Sequence, residues 1–178
     1  MAIYLKTVES LLPRVVQWAE QEQREILQLG VPLSRERRNL ATLAGVRSPE
    51  RIHLIKVPFI APPADPELAA FALLAGLITP QSTGLALGYA VCLRVDVWDD
   101  PLTQVEKYIH VAQHERLGSL KAFLECYISE FAYLTPALGL KAAAKASAAA
   151  ILEEMDQCSS RHFPTVSRFD RHISGQID

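Results

Sequence analysis

Glu106, His110 and His114 fall four residues apart in the segment DVWDDPLTQVEKYIHVAQHERLGSLKAFLECYISE, residues 96–130. That spacing lines side chains along one face of a helix, and a carboxylate with imidazoles is a ligand set for zinc or an acid–base pair. The three cannot share one ion on a straight helix, because eight residues rise about 12 Å whereas ligands converge within a few ångströms. Only Glu106 with His110, or His110 with His114, can meet at one metal, and each pair needs a third ligand that the sequence does not identify. The simpler alternative has both histidines buried or half-buried and hydrogen-bonded to neighbours, with Glu106 and Lys107 on a polar edge. A di-iron bundle requires Glu-x-x-His on two helices, and this chain offers Glu-x-x-x-His once.

Lys107 restricts the chemistry further. An ammonium has no lone pair to take a proton from a metal-bound water, and it repels a dication. It becomes a base only where burial depresses its pKa strongly.

The elements that must position these residues can be read from periodicity and punctuation. Ser10 reads as the cap of a first helix with Pro13 in its first turn, and Leu11, Leu12, Val15, Val16, Ala19 and Ile26 recur at helical spacing until Gly30. Ser34 opens a second helix that stops at Gly45, and Ser48-Pro49-Glu50 reads as a cap and turn. Residues 51–60, RIHLIKVPFI, read as a strand that Pro58 places at an edge or bulge. Asp65-Pro66 starts an almost wholly apolar helix to about Ile78, which burial on most sides would explain. Residues 85–97 alternate as one strand, with Leu85, Leu87, Tyr89, Val91, Leu93, Val95 and Val97 on one face and Arg94 and Asp96 on the other. Asp100 before Pro101 and Gly118 after Leu117 bound the site helix at 101–117. Ser119 caps a helix ending near Pro136; the Ala-rich stretch 137–157 favours another, and the tail after Cys158 reads as irregular or docked.

The chain of 178 residues, 49% apolar and 21% charged, fits one domain with a real core. A net charge of −2 with scattered basic residues excludes an electrostatic footprint for nucleic acid. Cys92, Cys126 and Cys158 are far apart and without CxxC spacing, so neither a disulfide framework nor a thiolate zinc site is expected, and a reducing cytoplasm is the simpler location. The start MAIYLKTVES lacks an apolar signal region, and the longest apolar run, Leu68 to Ile78, is too short to cross a bilayer, so no membrane or export role is expected.

The run Ile109-His110-Val111-Ala112-Gln113-His114-Glu115-Arg116-Leu117-Gly118, preceded by LRVDVWDD and followed by an amphipathic helix, resembles the active-site region of uncharacterised bacterial zincin-like proteins. Their pattern is HELVHVAQYERLGG, with zinc held by HExxH on the helix. The similarity extends through GVRSPERI and LGYAVCLRVDVW and covers residues 15–145. Carried over by position, His110 matches the second zinc histidine, Glu106 stands in place of the first, Lys107 in place of the glutamate base, and His114 at a usually aromatic place. Gly139-Leu140-Lys141 is the nearest match to the stretch bearing the family's further acidic ligand.

The resemblance implies an α+β, mostly helical, single zincin-like domain: a helical layer at 10–45, the sheet and site helix at 51–117, and C-terminal helices at 119–157. The expected function is a degenerate, non-peptidase binding or scaffold protein whose cleft keeps an ion pair, Glu106 with Lys141 or Lys107, in place of metal. No cofactor is expected beyond zinc as the alternative. A metal-dependent hydrolase using Glu106 and His110, with His114 or Glu115 nearby, is the second expectation, and a structural or oligomer-forming protein the third. The expected partner is a protein or small-molecule ligand, with no nucleic acid and no membrane, and with a homo-oligomer still open.

Overall fold

A computed structural model describes residues 2–132 and 139–162. Its described elements are helices α1 (Ala2–Leu29), α2 (Arg35–Leu43), α3 (Pro66–Leu74), α4 (Pro101–Leu117), α5 (Leu120–Ala132) and α6 (Leu140–His162), and strands β1 (Val31–Pro32), β2 (His53–Val57), β3 (Gly84–Leu87) and β4 (Ala90–Arg94). The strands form one sheet in the order β1-β2-β4-β3, in which β2 and β4 run parallel and the outer pairings are antiparallel. The parallel pair is joined through α3, as a crossover between parallel strands requires. The fold is therefore mixed α and β, mostly helical, around a small sheet. No described helix is long and apolar enough to cross a membrane.

Both faces of the sheet are covered. Leu54, Ala86, Val91 and Leu93 share one core with Val105, Tyr108, Ile109, Val111 and Ala112 of α4 and with Ala144 and Ala148 of α6. The small alanines let α6 lie close against α4. On the other face Ala90 and Cys92 meet Ile26 of α1, and Leu87 joins Leu11, Val15, Val16 and Ala19 of α1 with Phe123, Leu124 and Ile128 of α5. Tyr108, Val105 and Val111 of α4 are fully buried, and each such side chain contributes roughly 1.5–3 kcal/mol relative to exposure.

Residues 85–97 are not one strand. They turn at Gly88-Tyr89 into the β3–β4 hairpin, with Gly88 at φ +61°, a conformation that a two-residue hairpin turn demands and glycine adopts freely. Leu87 then pairs with Ala90 and Leu85 with Cys92, so Leu85 and Leu87 face α1 while Val91 and Leu93 face α4. The alternation is genuine, but the turn reverses its parity, and two covered faces make both sets apolar. Val95–Val97 continue as a 3-10 helical turn.

The other departures have similar causes. Pro13 lies inside α1 and Ser10 is not its cap; the lost backbone bond is outweighed by burial of Leu11, Val15, Val16 and Ala19 around it. The strand expected at 51–60 shortens to β2, because Pro49–Arg51 form a 3-10 turn and Pro58 falls past the last paired residue. Since β2 lies between β1 and β4, it is no edge. Helix α3 stops at Leu74, before Gly76 at φ +61°, and leaves Leu73 and Leu74 exposed. Helix α6 runs on to His162, past the expected end at 157. The start of that stretch before Gly139, the expected end near Pro136, and the tail beyond His162 lie outside the described residues.

Candidate functional site

Helix α4 carries the candidates, and its ends are pinned. Asp100 caps it by accepting from the Thr103 N–H at 2.9 Å, Pro101 occupies the first turn, and Gly118 closes it at φ +83° with its N–H donating to the His114 carbonyl. With α2, α5, α6 and β3 packed around it, α4 buries Thr103, Gln104, Lys107, His110, Gln113 and Glu115 as well as its apolar residues. Buried polar groups at that density must find partners within the protein.

A cavity of about 270 Å³ opens between α4, the edge strand β3, α1, α5 and α6. Glu106, Lys107, His110 and Lys141 all line it, together with Lys145, Trp18 and the 79–85 segment. Of the residues singled out from sequence, His114 and Glu115 do not. His114 lies one turn on, edge-on to Tyr89 at 5.7 Å between ring centroids, its Nδ1 buried without a hydrogen-bond partner. Burial holds its pKa below the ordinary histidine value, with Arg51 acting in the same direction.

His110 is buried and ordered from one side. Its Nδ1 lies 2.8 Å from the Gln113 Oε1, and the Gln113 amide donates to the Leu140 carbonyl at 2.9 Å. Since that amide donates onward, its oxygen accepts, which assigns the imidazole proton to Nδ1 and the lone pair to Nε2. Phe123 and Tyr127 meet the ring edge-on. Burial, with the Lys107 charge adding to it, lowers the His110 pKa to about 4, so the ring is neutral at ordinary pH.

Lys107 is not on a polar edge. Its side chain is only 9% exposed, and its Nζ donates to the Glu106 Oε1 at 2.8 Å. Burial works against the Glu106 charge, but the Lys107 ammonium holds the carboxyl below its usual range. Lys141 instead gives its Nζ to the Gly76 carbonyl at 3.2 Å. Of the two ion pairs expected for Glu106, the geometry forms the one with Lys107 and not the one with Lys141.

Glu115 turns away from the cavity. Its carboxylate accepts from the Arg47 N–H at 2.7 Å, the Ser48 N–H at 3.1 Å and the Tyr89 hydroxyl at 2.9 Å. Burial opposes its charge, yet these donors and the Arg47 guanidinium keep it below the usual carboxylate range. Neither His114 nor Glu115 therefore joins Glu106 and His110. Among the described residues no three His, Cys, Asp or Glu side chains group as a metal site.

Gln113 and Lys145 were missed from sequence. Gln113 stands three residues beyond His110, the spacing of a helical neighbour, and Lys145 repeats Lys141 one turn later, so both could have been found by following helical spacing outward from the candidates. Comparison with known protein families, characterised proteins and solved structures yields no match.

Proposed function

We propose that this chain is a zincin-like binding protein that keeps the cleft of a metallopeptidase without its reaction. The observation that carries the reading is the Glu106–Lys107 ion pair beside neutral His110. Where the resembled pattern sets a metal-binding imidazole and a carboxylate base, this cleft holds a carboxylate already neutralised by an ammonium. Neither group is then available to activate water. The arrangement of an edge strand, β3, beside the helix that bears His110 supports the same reading, as does the retained orientation of His110 by a hydrogen bond to its Nδ1, the kind of outer contact that orients metal-bound histidines.

The test is metal content together with peptide hydrolysis. Protein purified without chelator or added metal is expected to hold far less than one zinc or iron per chain, to melt cooperatively, and to leave an unstructured peptide uncut. Stoichiometric metal, with hydrolysis abolished by a chelator and restored by zinc, would overturn the reading in favour of a hydrolase using Glu106 and His110.

A further inference from the structure

The cavity has an unbalanced charge. Among the described residues, its lining brings together Lys107, Lys141 and Lys145 but a single carboxylate, Glu106. Glu106 is taken by Lys107 at 2.8 Å, which leaves an excess of two cations in the cleft of a chain whose net charge is −2. His110 adds a neutral ring.

The two further lysines stand where folding alone disfavours them. Lys141 lies in the first turn of α6 and Lys145 in the next, with no acidic residue in that first turn. Helix N-termini carry partial positive charge and favour anions, so a lysine there is unfavourable. Four residues apart, the two also repel each other. Burial and the neighbouring ammonium groups of Lys107 and Lys145 hold the Lys141 pKa below its ordinary value, against the pull of Glu106. An anion between them would relieve each of these terms.

The remaining walls describe the rest of a ligand. Thr79, Ser82 and Thr83 bring hydroxyls, whereas Trp18, Leu85 and Leu124 are apolar. No arginine lines the cavity among the described residues, and it is arginine forks that commonly recognise phosphate bidentately. A volume of about 270 Å³ lies at the small end of ligand sites.

We propose that the cleft binds a small organic carboxylate, its anionic group between Lys141 and Lys145 at the mouth and its apolar body against Trp18, Leu85 and Leu124. The inference rests on the non-peptidase reading, since a metal in the cleft would change its charge. Both lysines are exposed, so they can be changed without emptying the core.

Trp18 reports on occupancy. In a 15N-labelled sample, its indole signal, assigned with Trp98→Phe, is followed during titration with hexanoate, hexanamide and inorganic phosphate. Hexanoate is expected to shift it saturably, and at least about tenfold more tightly than either other probe. The double variant Lys141→Gln/Lys145→Gln is expected to weaken hexanoate about tenfold or more while leaving hexanamide unchanged. Equal response to hexanoate and hexanamide, no saturable shift up to about 10 mM hexanoate, tighter binding of phosphate, or an unaffected double variant would each overturn the proposal. Metal content measured on the same sample separates the two claims. Metal-free protein that ignores hexanoate overturns the carboxylate site alone, and zinc-loaded protein that ignores it and cuts the peptide in a chelator-sensitive way overturns the non-peptidase reading as well.

Discussion

At the scale of single residues, the Glu106–Lys107 pair and His110 govern how the cleft behaves. Lys107 is nearly buried, so Lys107→Met strands the Glu106 carboxylate and is expected to cost about 3 kcal/mol, Glu106→Gln a comparable amount, and the double variant much less than their sum. A cycle of Glu106→Gln with Lys141→Met is expected to couple by under about 0.5 kcal/mol, because Lys141 is exposed and bonded to Gly76 instead. Equilibrium denaturation of both cycles checks this; equal coupling would show that the geometry of the pair is misassigned. His110 gives a pH signature. Its pKa falls from 6.5 to about 4 on folding, so between those values the unfolded chain binds the extra proton, and stability is lost as pH drops through that window. The loss is about 3 kcal/mol in total, with no further contribution below about pH 4. Glu106, Lys107 and Lys141 face the ring, and the Glu106 carboxyl is held below its usual range by the Lys107 ammonium against the effect of burial. Denaturation midpoints from pH 7 to 4 should slope steeply for the parent and less for His110→Gln, and an imidazole signal titrating near pH 6.5 would contradict it.

At the scale of elements, sequence punctuation was most informative where a cap or stop is chemically explicit. Asp100, Pro101 and Gly118 bounded α4, and Ser34 marked the start of α2 with its hydroxyl on the Arg37 N–H. It failed where a tertiary partner decides. The hairpin in 85–97 reads as one strand because both sheet faces are apolar, and β1 is too short to leave a pattern. The site was partly legible for the same reason: helical spacing brings Glu106, Lys107 and His110 into one cleft, but nothing local shows that His114 and Glu115 face elsewhere. Glu115 in fact ties two distant segments, joining the end of α4 to the Arg47–Ser48 turn and to Tyr89 after β3. GVRSPERI, LGYAVCLRVDVW and HERLG are thus drawn together by one carboxylate. Glu115→Ala leaves two backbone N–H groups and a hydroxyl without their acceptor and is expected to cost about 3 kcal/mol, whereas Tyr89→Phe, which leaves the N–H bonds in place, should cost about 1. Chemical denaturation of the two variants tests the ranking; similar small losses would mean that water replaces the carboxylate freely.

At the scale of the whole molecule, overall charge and local charge point in opposite directions: a mildly acidic chain encloses a cationic cleft. Composition conceals this, because Lys107 and the two lysines of α6 come from segments far apart in sequence. The strand order β1-β2-β4-β3 was likewise out of reach, since it depends on which strands α3 and the hairpin bring side by side. Cys92 reflects the layered packing most directly. It lies in the central strand β4, covered by α1, and burial pushes its thiol up to about 11. A group so placed is a clock for opening of the fold: the thiol is only 7% exposed, at the floor of a narrow pocket of about 160 Å³ between α1 and the sheet, so a bulky thiol reagent reaches it in full only when α1 moves, and the native thiol holds almost no thiolate at neutral pH. In a Cys126→Ser/Cys158→Ser background, labelling of Cys92 is expected to slow in proportion to global stability as denaturant is withdrawn, while half-buried Cys126, assayed in the reciprocal background, reacts sooner. Modification of Cys92 in native buffer at the rate of a free peptide thiol would mean that the sheet breathes without unfolding.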